Sequence, residues 1–179
     1  DDDDRTIIGD PNPDFTFGFS TDFTWKNLTF SMAFNGSYGN DICNSNLNQL
    51  LDTQYSGMYN IARRTYYEAW TPEHPERTLP ALGQYISNVD SQWFSSINVE
   101  DGSYLRLAKV ALSYKIPIKK FFIRSINIGA SANNVYVWTK YSGWDPDVNS
   151  FGSNMKRIGI DNGSYPSSRI YCFDLRFAF

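Results

Sequence analysis

The chain has 179 residues, a formal net charge of −3 and 20 % charged residues, and its unusual statistic is an aromatic content of 17 %. An acidic balance argues against a nucleic-acid partner, because phosphate binding needs clustered Lys and Arg. No run approaches the ~18 apolar residues of a spanning helix, but that leaves a membrane barrel open, where every second strand residue and all the loops are polar.

Asp1–Asp4 reads as a solvated acidic loop that continues into Arg5–Phe15. No signal peptide precedes it, so an exported barrel is expected to have lost its own beginning. The first strand is predicted over about 14–25. Phe15, Phe17, Phe19, Phe23 and Trp25 alternate there with Thr16, Gly18, Ser20, Asp22 and Thr24, and only Thr21 interrupts the apolar series. Parity switches after Lys26-Asn27. A second strand, about 27–38, then carries Leu28, Phe30, Met32, Phe34 and Tyr38 on one face. Two alternating runs joined by a minimal turn form a hairpin, and each has about the 9–11 residues that a tilted strand needs to cross a bilayer.

The connection over about 39–102 is too long to be structureless. Within it Asn46–Trp70 lacks Pro and spaces Leu47, Leu50, Leu51, Tyr55, Met58, Tyr59, Ile61 and Ala62 as a helix would. One or two helices are expected, broken near Ser56-Gly57 and folded over the barrel mouth. A third strand follows at about 103–117, with Val110, Leu112, Tyr114 and Ile116 apolar, and a fourth at about 124–138, with Ile126, Ile128, Ala130, Ala132 and Tyr136. Pro117 marks the turn between them, since it cannot donate to a central ladder. The fifth strand, about 168–179, alternates Tyr171, Phe173, Leu175, Phe177 and Phe179 with Cys172, Asp174, Arg176 and Ala178. Short links at 26–27 and 117–123 alternate with long ones at about 39–102 and 139–167. Membrane barrels show this asymmetry, with short periplasmic turns and long extracellular loops.

One residue strains the pattern. Arg106 shares parity with Val110, Leu112 and Tyr114 and would face lipid, at a cost of about 2–4 kcal/mol at the bilayer midplane and about 0–1 near its surface. It either lies at the interface beside Tyr104 or is flipped by a β-bulge.

Enzyme chemistry finds no support. Asp145, Asp147 and Asp161 are carboxylates of the kind that paired-acid catalysis uses, but Asp-Pro-Asp is ordinary turn chemistry, and the sequence shows no nucleophile elbow, Walker loop or metal-ligand pair. The lone His74 reads as an exposed loop residue, and Cys43 and Cys172 do not make a disulfide framework. No catalytic residue, metal or cofactor is expected. The candidates for contact with a substrate or a lid protein are the loop aromatics Trp70, Trp93, Tyr141, Trp144 and Tyr165, whose flat faces can stack on a sugar ring or a peptide side chain; packing of the loops against one another is the competing role.

Several segments together resemble the C-terminal part of the SusC/RagA family of TonB-dependent outer-membrane transporters of Bacteroidetes. They are I-G-D-P-N-P-D-F at Ile8–Phe15, W-T-P-E-H-P at Trp70–Pro75, D-G-S-Y-L-R-L at Asp101–Leu107, W-T-K-Y-S-G-W-D-P-D-V at Trp138–Val148 and G-I-D-N-G-S-Y-P at Gly159–Pro166. His74 and Trp144 depart from the usual Asn and Tyr. The resemblance implies an all-β fold, namely the last five strands of a plugged barrel of about 22 strands. It implies import of large nutrients, glycans or oligopeptides, with a SusD-like surface lipoprotein as lid and TonB–ExbB–ExbD as the source of energy. The plug and TonB box would lie upstream of Asp1. The terminal strand, Tyr171 to Phe179, resembles the signal read by the barrel-assembly machinery through strand addition. Five strands alone would leave two edges in lipid, so the remainder of the barrel is an expected partner. A secreted glycan-binding β-sandwich and a non-transporting outer-membrane barrel are the alternatives.

Overall fold

The structure, a computed structural model, describes residues 6–51, 60–82, 95–118, 122–152, 154 and 157–179. The chain divides into two compact units. One, from Pro13–Gly39, Gly102–Pro146 and Tyr165–Phe179, holds the long strands; the other, which includes Asn40–Asp101 and Asp147–Ser164, holds the loop elements.

The strand unit is one antiparallel sheet of β1 (Phe15–Trp25), β2 (Leu28–Tyr38), β5 (Tyr104–Pro117), β6 (Ser125–Thr139) and β8 (Ile170–Ala178), in that spatial order. Each strand starts one or two residues inside the range expected from periodicity. Lys26 takes a positive φ of 55°, as the first position of a primed two-residue hairpin turn requires, and Trp25 pairs with Leu28 across it. Because side chains alternate, cross-strand partners share a face. One face therefore carries apolar rows: Trp25–Leu28–Tyr114–Ile128–Leu175, Phe23–Phe30–Leu112–Ala130–Phe173 and Thr21–Met32–Val110–Ala132–Tyr171. The opposite face carries Asp22–Ser31–Ala111–Ser131–Cys172, in which the Ser31 hydroxyl donates to the Asp22 carboxylate. Thr21, which broke the apolar series in the sequence, stands opposite Met32 within the apolar face.

Glycine is required at one pairing. A Cβ on Gly36 would strike the ring of its partner Phe17 and the Tyr104 carbonyl oxygen, so the aromatic covers a strand glycine that no other residue could replace.

Most of the large apolar side chains on the sheet stay exposed, among them Phe19, Phe23, Trp25, Leu112, Tyr114, Phe173 and Leu175. A β-sandwich would bury such a face against a second sheet; among the described residues nothing buries it. No helix among the described residues is long and apolar enough to cross a membrane, which says nothing of strands.

The loop unit contains a small sheet, ordered β4 (Val99–Asp101), β3 (Asp41–Asn44) and β7 (Ile160–Asp161), with β3 and β7 parallel. Helices α1 (Asn46–Leu50) and α2 (Arg63–Glu68) and a 3-10 turn at Ser96–Asn98 complete it. Its core is Ile42, Leu47, Ala69 and Leu79, with Thr65 fully buried and its hydroxyl donating to the Leu50 carbonyl at 3.0 Å. The helical expectation over Asn46–Trp70 is thus met by two short helices. Ile61 and Ala62 are not helical: Ala62 caps α2 with extended backbone, ψ 145°. The expected break at Ser56-Gly57 lies outside the described residues.

Candidate functional site

The residues most tightly organised in the strand unit surround Arg106. Between Leu107 and Lys109 the register shifts on both sides of β5: Phe34 pairs with Leu107 but Ala33 with Lys109, and on β6 Tyr136 and Asn133 take the same two partners. Ala108 is the extra residue relative to β2, and Asn134 and Val135 face it on β6. Asn134 adopts φ 52°, the left-handed conformation that Asn tolerates better than most residues. A one-residue slip exchanges the faces of a strand. Leu107 and Leu105 therefore take over the apolar face, in rows with Phe34–Tyr136 and Gly36–Trp138, while Arg106 turns to the polar face opposite Asn35 and Val137. Of the two ways to place this arginine, the bulge is the one realised.

There Arg106 meets Asp145. Its Nη2 donates to Oδ1 at 2.6 Å and Nη1 to Oδ2 at 3.4 Å, and the two side chains are only 5 % and 7 % exposed. The Tyr104 ring lies under the guanidinium, 5.4 Å away. The Ser167 amide donates to Asp145 Oδ2 at 3.1 Å. One carboxylate thus joins D-G-S-Y-L-R, W-D-P-D and the chain just past G-S-Y-P. Sequence reasoning treated Asp145 as a turn residue and missed this role. The available signal was Arg106 itself, since a strand arginine turned away from lipid and buried needs an acid.

Around the pair the loop backbone is pinned. Thr139 Oγ1 donates to the Ser103 carbonyl at 2.9 Å and accepts from the Tyr141 amide at 3.1 Å. Tyr141 is buried, with its ring packed where a Cβ on Gly143 would otherwise be. Trp144 and Tyr165, by contrast, are 83 % and 89 % exposed. They flank the pinned residues, Trp144 directly before Asp145 and Tyr165 two residues before Ser167.

In the loop unit Trp70 is half-exposed on a locked turn: its amide donates to the Leu79 carbonyl at 2.8 Å, and Arg77 Nη1 donates to the Ala69 carbonyl at 3.2 Å. Beside it in sequence Tyr66 and Tyr67 are exposed and meet edge-to-face at 5.3 Å. These two were not singled out from sequence, where their place on a helix surface was not legible. Trp93 lies outside the described residues. The N-terminal motif docks within the same unit: the Asp41 amide donates to the Asp10 carbonyl at 2.7 Å, and a Cβ on Gly159, at φ 70°, would come within 2.6 Å of Pro11 Cβ. Backbone and side-chain amide bonds from Asn12 hold the Asp10 carboxyl below its usual range. Asp161 is buried and accepts from the Ser164 amide at 3.0 Å. Burial pushes the Cys43 thiol up, and Cys43 and Cys172 form no disulfide.

On β8, Tyr171, Phe173, Leu175 and Phe177 share the apolar face and are exposed; Phe179 follows the strand and is exposed too. β8 pairs only with β6 among the described residues, as β1 pairs only with β2.

No family model matches the sequence. The chain is 33 % identical over 183 residues to TonB-dependent receptor P3 of Formosa agariphila, which covers 98 % of this chain and 17 % of that protein. The chain is homologous to the TonB-dependent receptors. TonB-dependent receptor SusC of Bacteroides thetaiotaomicron is 24 % identical over 180 residues, 98 % of this chain and 16 % of that receptor. The solved RagAB peptide transporter superposes with a TM-score of 0.80 at 25 % identity, over 97 % of this chain and 18 % of that one. The chain therefore spans about a sixth of the length of the curated receptors it matches. Its sheet matches a segment of the RagAB peptide transporter, and the curated relatives are TonB-dependent receptors.

Proposed function

We propose that these strands form part of a barrel of about 22 strands in the outer membrane, which imports large nutrients, glycans or oligopeptides. The observation that carries this reading is the sheet itself: an exposed apolar and aromatic face backed by a polar one, in strands of bilayer-crossing length, superposing on a peptide transporter over 97 % of the chain. The polar face lines the lumen, and the short links lie at the periplasm. β1 and β8 pair with strands from the rest of the barrel, because unpaired backbone groups in hydrocarbon are too costly to persist. Energy comes from TonB–ExbB–ExbD acting on a plug outside these residues, and a SusD-like lipoprotein lids the outer loops. Trp144 and Tyr165, and Trp70 in the loop unit, are the aromatics presented for substrate or lid; Tyr141 packs the loop. The strand from Tyr171 to Phe179 is the one read by the barrel-assembly machinery.

The test uses the complete receptor in its bacterium. Uptake of labelled oligosaccharide and oligopeptide pools is compared in the parent, a receptor deletion and a TonB deletion. Loss of one pool's uptake in both deletions is expected. A receptor deletion that leaves every pool unchanged, with the barrel still in the membrane of the parent, would establish a non-transporting barrel instead.

A further inference from the structure

We infer that the short-link rim of the sheet is a binding surface for the headgroups of anionic phospholipids, built on Lys26 and Arg124. This rests on the membrane reading above and assigns chemistry to a part of the sheet that reading leaves unexplained.

At this end the described residues of the five strands and their links carry the side-chain cations Lys26, Lys115, Arg124 and Arg176, against Asp174 as the one side-chain carboxylate. Two of the four cations belong to the polar face. Lys115 and Arg176 flank Asn127 in one row, and Arg176 Nε lies 3.4 Å from Asp174. The other two fall on the lipid side. Lys26 Nζ sits 5.1 Å from the ring centre of Trp25, which belongs to the apolar row with Leu28 and Tyr114. Arg124 keeps the parity of Ile126 and Ile128 and is exposed, and the neighbouring Phe122 is exposed as well. Among the described residues neither Lys26 nor Arg124 forms an ion pair.

Both cations are held by backbone. The Lys115 amide donates to the Asn27 carbonyl at 2.8 Å and ties the hairpin turn to β5. The Arg124 amide donates to the Ala178 carbonyl at 2.7 Å, and its own carbonyl accepts from Ile118 at 3.1 Å. The two positions lie two to three strand spacings apart across the sheet and three residues apart along it, because the hairpin turn is level with Lys115 and Asn127, about 14–17 Å in all, so their long side chains reach neighbouring headgroups along one rim. An aromatic at the membrane surface with a cation beyond it matches a glycerophospholipid, whose carbonyl region meets the ring and whose phosphate meets the charge. A zwitterionic headgroup also carries a phosphate, but its ammonium cancels the attraction. Net negative charge is thus what two such cations select, at about fivefold in local lipid preference per cation.

The experiment places the complete receptor in bilayer nanodiscs of phosphatidylcholine doped with a photoactivatable phosphatidylglycerol or with the matching phosphatidylcholine probe, and maps cross-links by peptide mass spectrometry. Cross-linking to the peptides bearing Trp25–Lys26 and Phe122–Arg124 should favour the phosphatidylglycerol probe severalfold over the mid-sheet peptide bearing Phe19. That preference should fall about fivefold in each of Lys26→Gln and Arg124→Gln, persist in Lys26→Arg and Arg124→Lys, and weaken with added salt. Equal labelling of the rim by both probes overturns the inference while leaving the barrel intact. If neither probe labels Phe19 or Phe23, it is the membrane reading that fails.

Discussion

Replacing Asp145 by Ala should release the loop that carries Trp144 and Tyr165. The carboxylate is 7 % exposed, holds both terminal nitrogens of Arg106 and accepts from the Ser167 amide. Removing it leaves the buried guanidinium without this carboxylate, and breaking a buried pair in this way costs about 3–5 kcal/mol. The loss falls first on local opening, because the Ser167 amide loses its acceptor directly. A loss of 3 kcal/mol corresponds to exchange roughly 150-fold faster, at 1.36 kcal/mol per decade. Hydrogen exchange of the complete receptor, read by mass spectrometry on the peptide containing Ser167, measures this, with the mid-sheet peptide of β2 as an unchanged control. Asp145→Asn keeps an acceptor for Ser167 but not the charge, so it should fall between. The double variant Arg106→Met with Asp145→Leu should be less damaged than either single change, since an apolar pair of similar volume often matches a buried ion pair. Exchange in Asp145→Ala that rises less than threefold, or single effects that simply add in the double variant, would refute the clamp.

Other expectations follow from the same geometry. Gly39 has φ 87° and no room beside the Asp14 carboxylate, so Gly39→Ala should destabilise by about 1–3 kcal/mol, seen as faster limited proteolysis near the end of β2. Leu112→Arg, in the middle of the apolar face, should cost about 2–4 kcal/mol and lower the amount of folded barrel in the membrane, while Ser113→Arg on the other face should leave it near normal. Deleting Phe179 should cut outer-membrane levels severalfold if β8 is the assembly signal, with the unassembled receptor recovered in the periplasm. Alkylation of Cys43 should need a higher pH than an ordinary thiol, because burial raises its pKa and only the thiolate reacts; equal rates at Cys43 and Cys172 across the pH range would count against the packing described.

The long strands were legible because period-2 alternation survives wherever one face is apolar. Even the Thr21 lapse did not hide β1, since its neighbours Phe19 and Phe23 kept the phase. The place of Arg106 was legible only as a choice, because a one-residue slip leaves no mark in composition; its resolution came from the pairing of Ala33 with Lys109 and Phe34 with Leu107. The small sheet was not legible at all. β7 has two residues and pairs in parallel with β3 from Cys43–Asn44 to Ile160–Asp161, far too short a run for any period to appear. Exposure of loop aromatics was equally hidden: Tyr141 and Trp144 stand three residues apart in one motif, yet the first is buried and the second projects, because Thr139 and Asp145 pin the backbone on either side.

The central claim is that the sheet is a barrel wall with lipid on one face, and residue-by-residue accessibility along β5 tests it most directly. Single cysteines at positions 104 to 114 of the complete receptor, with Cys43 and Cys172 replaced by Ser, would be spin-labelled in bilayers and their collision rates with oxygen and with a water-soluble nickel complex compared. Oxygen should dominate at Val110, Leu112 and Tyr114, then shift phase across Ala108 to dominate at Leu107 and Leu105, with the nickel complex favoured at Lys109 and Ser113. Equal access of the nickel complex to both faces, or an even-numbered period running unbroken through Arg106, would contradict the account.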